Sequence, residues 1–282
     1  MIPRNDLLTA DCAEGLAVYQ LTNEEVPSSH LYMEAQVFSP DSQRLLVHRS
    51  AHAHGSDRRD PAHRYMVCDL ASGGALSPLT VETGATAPSV APDGEWVYYF
   101  VDETEVGGGR LTLKRVRMDG TGRDTLMVID APIEGTDLRP SIIYPLSTIR
   151  SDGKSLALSC FLRDGEREDL PWGLMVFDLE RPTVQVILQG NDWINIHPQY
   201  SRSLDPDAMH DILIQQNHGY YHSPVDGSWK VSANGKGADI HVIRDDGTEF
   251  RNMPWGRDGN EFCQGHQCWI GRSTRAITST GT

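Results

Sequence analysis

Long apolar runs are missing from this chain. No stretch approaches the roughly 20 residues that a membrane-spanning helix needs, and nothing behind Met1-Ile2-Pro3-Arg4-Asn5-Asp6 resembles the apolar core of a signal peptide. Basic residues are scarce. Lys and Arg number 25 against 39 Asp and Glu, for a formal net charge of −14, which argues against non-specific binding to nucleic acid or to anionic membrane. The five cysteines are scattered, odd in number and without a Cys-x-x-Cys pair, so the expectation is reduced thiols and a cytoplasmic location. There is no Gly-rich phosphate loop, no Gly-x-Ser-x-Gly elbow and no His-Glu-x-x-His helix, so these motifs supply no nucleotide, hydrolase or metalloprotease chemistry. No Pro/Gly/Ser-rich linker divides the chain, and 1–282 is read as one domain.

What is present is a phrase that returns. Phe38-Ser39-Pro40-Asp41-Ser42-Gln43-Arg44-Leu45-Leu46-Val47 comes back as Val90-Ala91-Pro92-Asp93-Gly94-Glu95-Trp96-Val97-Tyr98-Tyr99-Phe100, and again as Ile149-Arg150-Ser151-Asp152-Gly153-Lys154-Ser155-Leu156-Ala157-Leu158. Each copy reads as a strand end, a tight Asp-Gly-type turn and an alternating apolar strand. A second half-signature follows each, at Arg64–Gly74, Leu111–Gly120 and Gly173–Leu179, and a fourth unit carries it at Ile240–Gly247. These predict the third strand of a four-stranded unit and the turn to a fourth. The fourth unit opens at Ile196-His197-Pro198-Gln199-Tyr200-Ser201, with Asp205-Pro206-Asp207 in place of Pro-Asp-Gly, and a fifth opens at His266-Gln267-Cys268-Trp269-Ile270. Repetition at this spacing predicts an all-β fold, a β-propeller of four-stranded antiparallel blades with about five present. The domain is expected to be incomplete at its C-terminus. Leu16–Thr22 reads as an outer strand of the kind that completes a last blade.

Histidine is the chemically distinctive component. His30, His197, His218 and His266 fall at or near strand ends, where a propeller presents side chains to its channel. Imidazole can accept a proton near neutral pH or bind a divalent metal, and spacing alone decides neither. The blander reading, a hydrogen bond to a neighbouring blade, holds for any one of them taken singly. Gly107-Gly108-Gly109 reads as a turn, the acids around Glu166-Arg167-Glu168-Asp169 as a solvated loop, and Ser50 to Ala62 as a long polar loop.

Three segments resemble the oligogalacturonate lyases, seven-bladed propeller polysaccharide lyases. Trp193-Ile194-Asn195-Ile196-His197-Pro198-Gln199-Tyr200 is similar to that family's W-x-x-H-P-x-Y/F segment, Gln215-Gln216-Asn217-His218-Gly219 to its F-C-H-E-G strand end, and Gly265-His266-Gln267-Cys268-Trp269 to its H-E-F-W motif. The resemblance implies a seven-bladed parent and cleavage of pectin-derived oligogalacturonides by metal-assisted β-elimination. It implies His197 as Brønsted base, His266 as a ligand to a divalent metal such as Mn²⁺, and His218 near the substrate. It also implies a cation against the uronate carboxylate, a role that falls to Arg163 or Arg167. The family's Q-x-x-H-x-H cluster of further ligands has no counterpart before Thr282, so the metal site is expected to be incomplete in this chain. The expected partner is a small anionic oligosaccharide. Two alternatives remain at this stage: a non-catalytic TolB-like propeller that binds a protein or sugar, and the propeller half of a prolyl oligopeptidase-type enzyme.

Overall fold

A computed structural model describes residues 1–50, 59–105, 108–164, 166, 171–222, 228–231, 237–255 and 262–281. The chain is a β-propeller. Two short strands, β1 (Ile2–Pro3) and β2 (Tyr19–Gln20), pair with each other. Blade one is β3 (Ser28–Ser29), β4 (Arg44–Arg49), β5 (Arg64–Asp69) and β6 (Ala75–Pro78). Blade two is β7 (Ala85–Val90), β8 (Trp96–Glu105), β9 (Gly108–Arg117) and β10 (Asp124–Ile129). Blade three is β11 (Arg139–Ile149), β12 (Ser155–Arg163), β13 (Trp172–Asp178) and β14 (Thr183–Gly190). Blade four begins with β15 (Gln199–Tyr200) and β16 (Asp211–Asn217), carries a hairpin of β17 (Tyr220–His222) and β18 (Trp229–Val231), and finishes with β19 (Ala238–Arg244) and β20 (Arg251–Asn252). The fifth unit contributes β21 (Phe262–Trp269) and β22 (Ala276–Gly281). All pairings are antiparallel, and the predicted third strands are β5, β9, β13 and β19.

The recurring phrase forms the predicted turn. Ser42, Gly94 and Gly153 take φ of 57°, 71° and 75°, and each donates its N–H to the residue three positions earlier, at 2.8 Å. Asp41, Asp93 and Asp152 accept the N–H two residues on, at 2.8–3.0 Å. A short carboxylate closing its own turn is why Asp recurs there. In blade four the turn is enlarged, with a 3-10 helix at Ala208–His210.

The core lies between blades. Tyr99, Val97 and Val116 pack with Leu46 and Val67 between blades one and two. Phe100, Leu113, Leu156, Leu158 and Phe177 join blades two and three, with the Phe100 and Phe177 rings 5.2 Å apart. Leu174, Val176, Tyr200 and Ile212 join three and four, and Leu213, Ile240, Cys263 and Trp269 join four and five. Strands buried on both faces therefore read as continuous apolar runs; β12 is buried at every position. The predicted outer strand lies elsewhere: β2 pairs with β1, and Leu21 packs on Val47, Met66 and Cys68 of blade one. All five cysteines are free thiols.

Candidate functional site

The inner strands place the site. Each ends in a backbone bond that opens its turn: Ser39, Ala91, Arg150, Ser201 and Ile270 donate to the carbonyls of Arg44, Trp96, Ser155, Asp211 and Arg275. Counting back four residues from each donor gives Ala35, Ala87, Leu146, His197 and His266. His197 and His266 thus occupy one equivalent position in adjacent blades. At this position Ala87, His197 and His266 adopt left-handed φ values of 48°, 48° and 53°. The pairing of β7 and of β21 shifts register around it. Such bulges re-aim a side chain relative to the sheet. A left-handed backbone costs an ordinary residue roughly 1–2 kcal/mol, and neighbouring contacts hold it. Gln267 Nε2 donates to the His197 carbonyl at 3.3 Å, Gln199 Nε2 donates to the Gln267 carbonyl, and the Trp269 indole donates to the Gln199 carbonyl at 3.0 Å. Gln267 is fully buried, so the backbones carrying the two histidines are fastened to each other.

The segment before the first turn runs across the inner edges of the other blades. Gln36 bonds Val90 of blade two and Ile149 of blade three, Glu34 reaches His197 of blade four, and Tyr32 reaches His266 of the fifth unit. The result is a chain of side chains. Glu34 Oε2 lies 3.1 Å from His197 Nδ1, and the Tyr144 hydroxyl lies 2.7 Å from His197 Nε2. The Tyr32 ring meets the His197 ring edge-on with centroids 5.2 Å apart, and its hydroxyl lies 3.1 Å from His266 Nδ1. Glu34 and His197 are buried, Tyr32 and Tyr144 half-buried, and His266 exposed. Glu34 Oε1 is buried without a hydrogen-bond partner among the described residues.

The electrostatics assign the protons. Burial, and then the charge of Glu34, raises the Tyr32 phenol to about 12. Burial, with Tyr32 and Glu34 behind it, raises Tyr144 further. Both phenols stay protonated at neutral pH, so Tyr144 donates to His197 Nε2. A carboxylate can only accept, so in the neutral imidazole Nδ1 carries the hydrogen and donates to Glu34. That tautomer leaves Nε2 as the basic nitrogen.

The expected site residues are not all brought together. His197 and His266 converge on Tyr32. His218 follows β16 with Nε2 3.3 Å from Asp239, and His30 is an exposed residue beside β3. Arg163 is buried at the end of β12, its guanidinium carbon 5.8 Å from the centre of the Phe161 ring. Its register partner is Arg139, at the start of the strand that carries Tyr144. Arg167 lies outside the described residues, as does a His-x-His spacing at His52-Ala53-His54. No group of three or more His, Cys, Asp or Glu able to hold a metal ion occurs among the described residues. Among the described residues, then, His266 stands without the further His, Cys, Asp or Glu ligands that a divalent cation would take. Glu34, Tyr32 and Tyr144 escaped the sequence reading because no local motif marks them; their partners are 53 to 234 residues away.

No protein-family profile matches the chain, and no curated protein sequence matches it. Solved structures do. A structure described as oligogalacturonate lyase in complex with manganese aligns over 89% of this chain with a TM-score of 0.59 and 21% identity. The oligogalacturonate lyase of Vibrio parahaemolyticus aligns over 89% with a TM-score of 0.60 and 17% identity. The chain has the fold of an oligogalacturonate lyase. It spans 59% and 58% of the length of those two proteins.

Proposed function

We propose that the protein is a lyase that cleaves oligogalacturonides, or closely related uronate oligosaccharides, by β-elimination. The observation that carries this reading is the meeting of His197 and His266 from adjacent blades at Tyr32, with the His197 ring held between Glu34 and Tyr144. In the reaction, His197 Nε2 takes the proton from C5, next to the uronate carboxylate. The C5–H electron pair forms the C4=C5 double bond, and the C4–O bond breaks. Glu34 accepts from Nδ1 and favours the imidazolium that results. The Tyr144 hydroxyl is the donor nearest Nε2. It turns from that nitrogen to the departing C4 oxygen, protonates it, and recovers a proton from His197 across the same hydrogen bond. Charge that builds on the carboxylate needs a cation, a role that the family resemblance gives to Arg163 or Arg167. Two solved lyases of the same fold support the substrate class, one of them a manganese complex.

The test is an absorbance assay. Short oligogalacturonides added to the purified protein, with and without Mn²⁺, should raise the ultraviolet absorbance of a conjugated unsaturated uronate. His197→Ala should lower that rate by about 10²–10⁴-fold. No absorbance change under either condition, or a His197→Ala protein as active as the parent, would overturn the reading.

A further inference from the structure

A second polar site lies at the opposite, turn end of the inner strands. A cavity of about 330 Å³ opens there, walled by Phe38, Val90, Pro92 and Leu204 and carrying the side chains of Arg202 and Arg272. Arg202 is five residues beyond His197 on the same inner strand and its turn. At ~3.3 Å per residue this puts it on the order of 15 Å away along the chain. The volume falls within the roughly 300–1,000 Å³ range of small-molecule pockets.

The charges in this cavity are unbalanced. Two other arginines of the turn regions are matched: Arg150 by Asp152 and Asp245 at 2.8 and 2.7 Å, and Arg244 by Asp207 at 2.7 Å. Arg202 and Arg272 have no carboxylate partner among the described residues. The acids of the adjacent turns are committed, since Asp41, Asp93, Asp152 and Asp205 each accept a backbone N–H of their own turn. Burial holds the Arg202 guanidinium below its ordinary pKa, with the Cys268 thiol opposing the effect. A partly dry guanidinium without a counter-charge is a standing cost, and an anionic ligand would remove it. Phe38 and Leu204 beside it are 52% and 57% exposed, an apolar wall that a fully hydrated anion would not use.

We propose that this cavity binds a small organic carboxylate, with Arg202 and Arg272 holding the carboxylate and the Phe38–Leu204 wall covering the ligand's apolar face. A guanidinium fork matches carboxylate and phosphate alike; the apolar wall of Phe38 and Leu204 is what favours an organic carboxylate over inorganic phosphate. The cavity shares with the His197 cluster the segment after Glu34, through Ala35 and Gln36, but its two arginines contact none of the cluster's residues, and the proposal stands whether or not the lyase reading holds.

Calorimetric titration of the His197→Ala protein keeps the two apart, because that protein lacks the proposed base in either case. Galacturonate, digalacturonate and benzoate are the probes; inorganic phosphate and galactose are the controls. At least one carboxylate should bind one-to-one, more weakly in high salt. Arg272→Ala should weaken it about tenfold, and Arg202→Gln by a similar factor. Arg272 is exposed, so its replacement leaves folding intact and decides the matter should the Arg202 variant not fold. Failure of all three carboxylates to bind would overturn the proposal. So would binding unchanged by Arg272→Ala, or phosphate bound as tightly with the same arginine dependence.

Discussion

His48 Nε2 and His63 Nδ1 lie 2.8 Å apart, and His63 Nε2 in turn lies 3.0 Å from the Ala85 carbonyl of blade two. Burial first, and then the neighbouring His63, lowers His48 from its ordinary 6.5 to about 4. The unfolded chain takes up this proton as pH falls through 6.5, whereas the folded chain resists until about 4. The stability that His48 contributes is therefore complete above pH 6.5 and is lost as pH falls toward about 4. The loss is on the order of 2–3 kcal/mol. His48→Gln should flatten the urea midpoint over that interval; a profile as steep as the parent's would assign the acid sensitivity to another group. Glu34 tests the His197 imidazole. Glu34→Gln keeps the shape and removes the charge beside His197 Nδ1, so kcat should fall at least about tenfold with KM little changed. Equal kinetics in the absorbance assay would remove Glu34 from the mechanism.

At the scale of the element, the bulge on β21 matters most. Gly265 precedes His266 with φ of 83°, and a Cβ there would collide with the Gln215 side chain of β16, itself buried. An L-residue is strained at that φ whatever the space. Gly265→Ala should lower stability by about 1–2 kcal/mol and disturb the His266–Tyr32 contact. Chemical denaturation and the histidine NMR resonances would show both, and an unchanged midpoint would mean that the bulge adapts freely. The turns behave differently. Their Asp carboxylates accept backbone N–H groups of their own loop, which is why the recurring phrase could be read directly as hairpins. The enlarged turn of blade four keeps the same logic, with Asp205 accepting from Asp207 and Ala208.

Across the whole molecule, blades are joined by apolar faces and by a few polar side chains at the inner edge. Gln36 is the clearest case. Its amide donates to the Ile149 carbonyl at 2.8 Å and accepts from the Ile149 N–H at 2.6 Å. It stands in for a strand between blades one and three. Arg150, Asp245, His210 and Tyr200 form a comparable clamp between blades three and four. Gln36→Leu would strand the backbone groups of Ile149, a fully buried residue, and should cost about 2–3 kcal/mol. A urea midpoint within error of the parent's would show that water or a neighbour replaces the amide.

Local pattern was enough for the all-β class, the hairpin turns and the third strands, and it put His197 and His266 near strand ends without separating them from His218. Those features depend on neighbouring residues: the φ preference of Gly, the short reach of Asp, and the two-residue period of a strand. The destination of Leu16–Thr22 was not legible, because an isolated strand names no partner. Nor was the setting of His197. Its partner Glu34 is 163 residues away in sequence, and Tyr32 is 234 residues from His266. Only the closing of blades around a common centre places a carboxylate, a phenol and two imidazoles within hydrogen-bond range, because inner edges that are remote along the chain there become nearest neighbours.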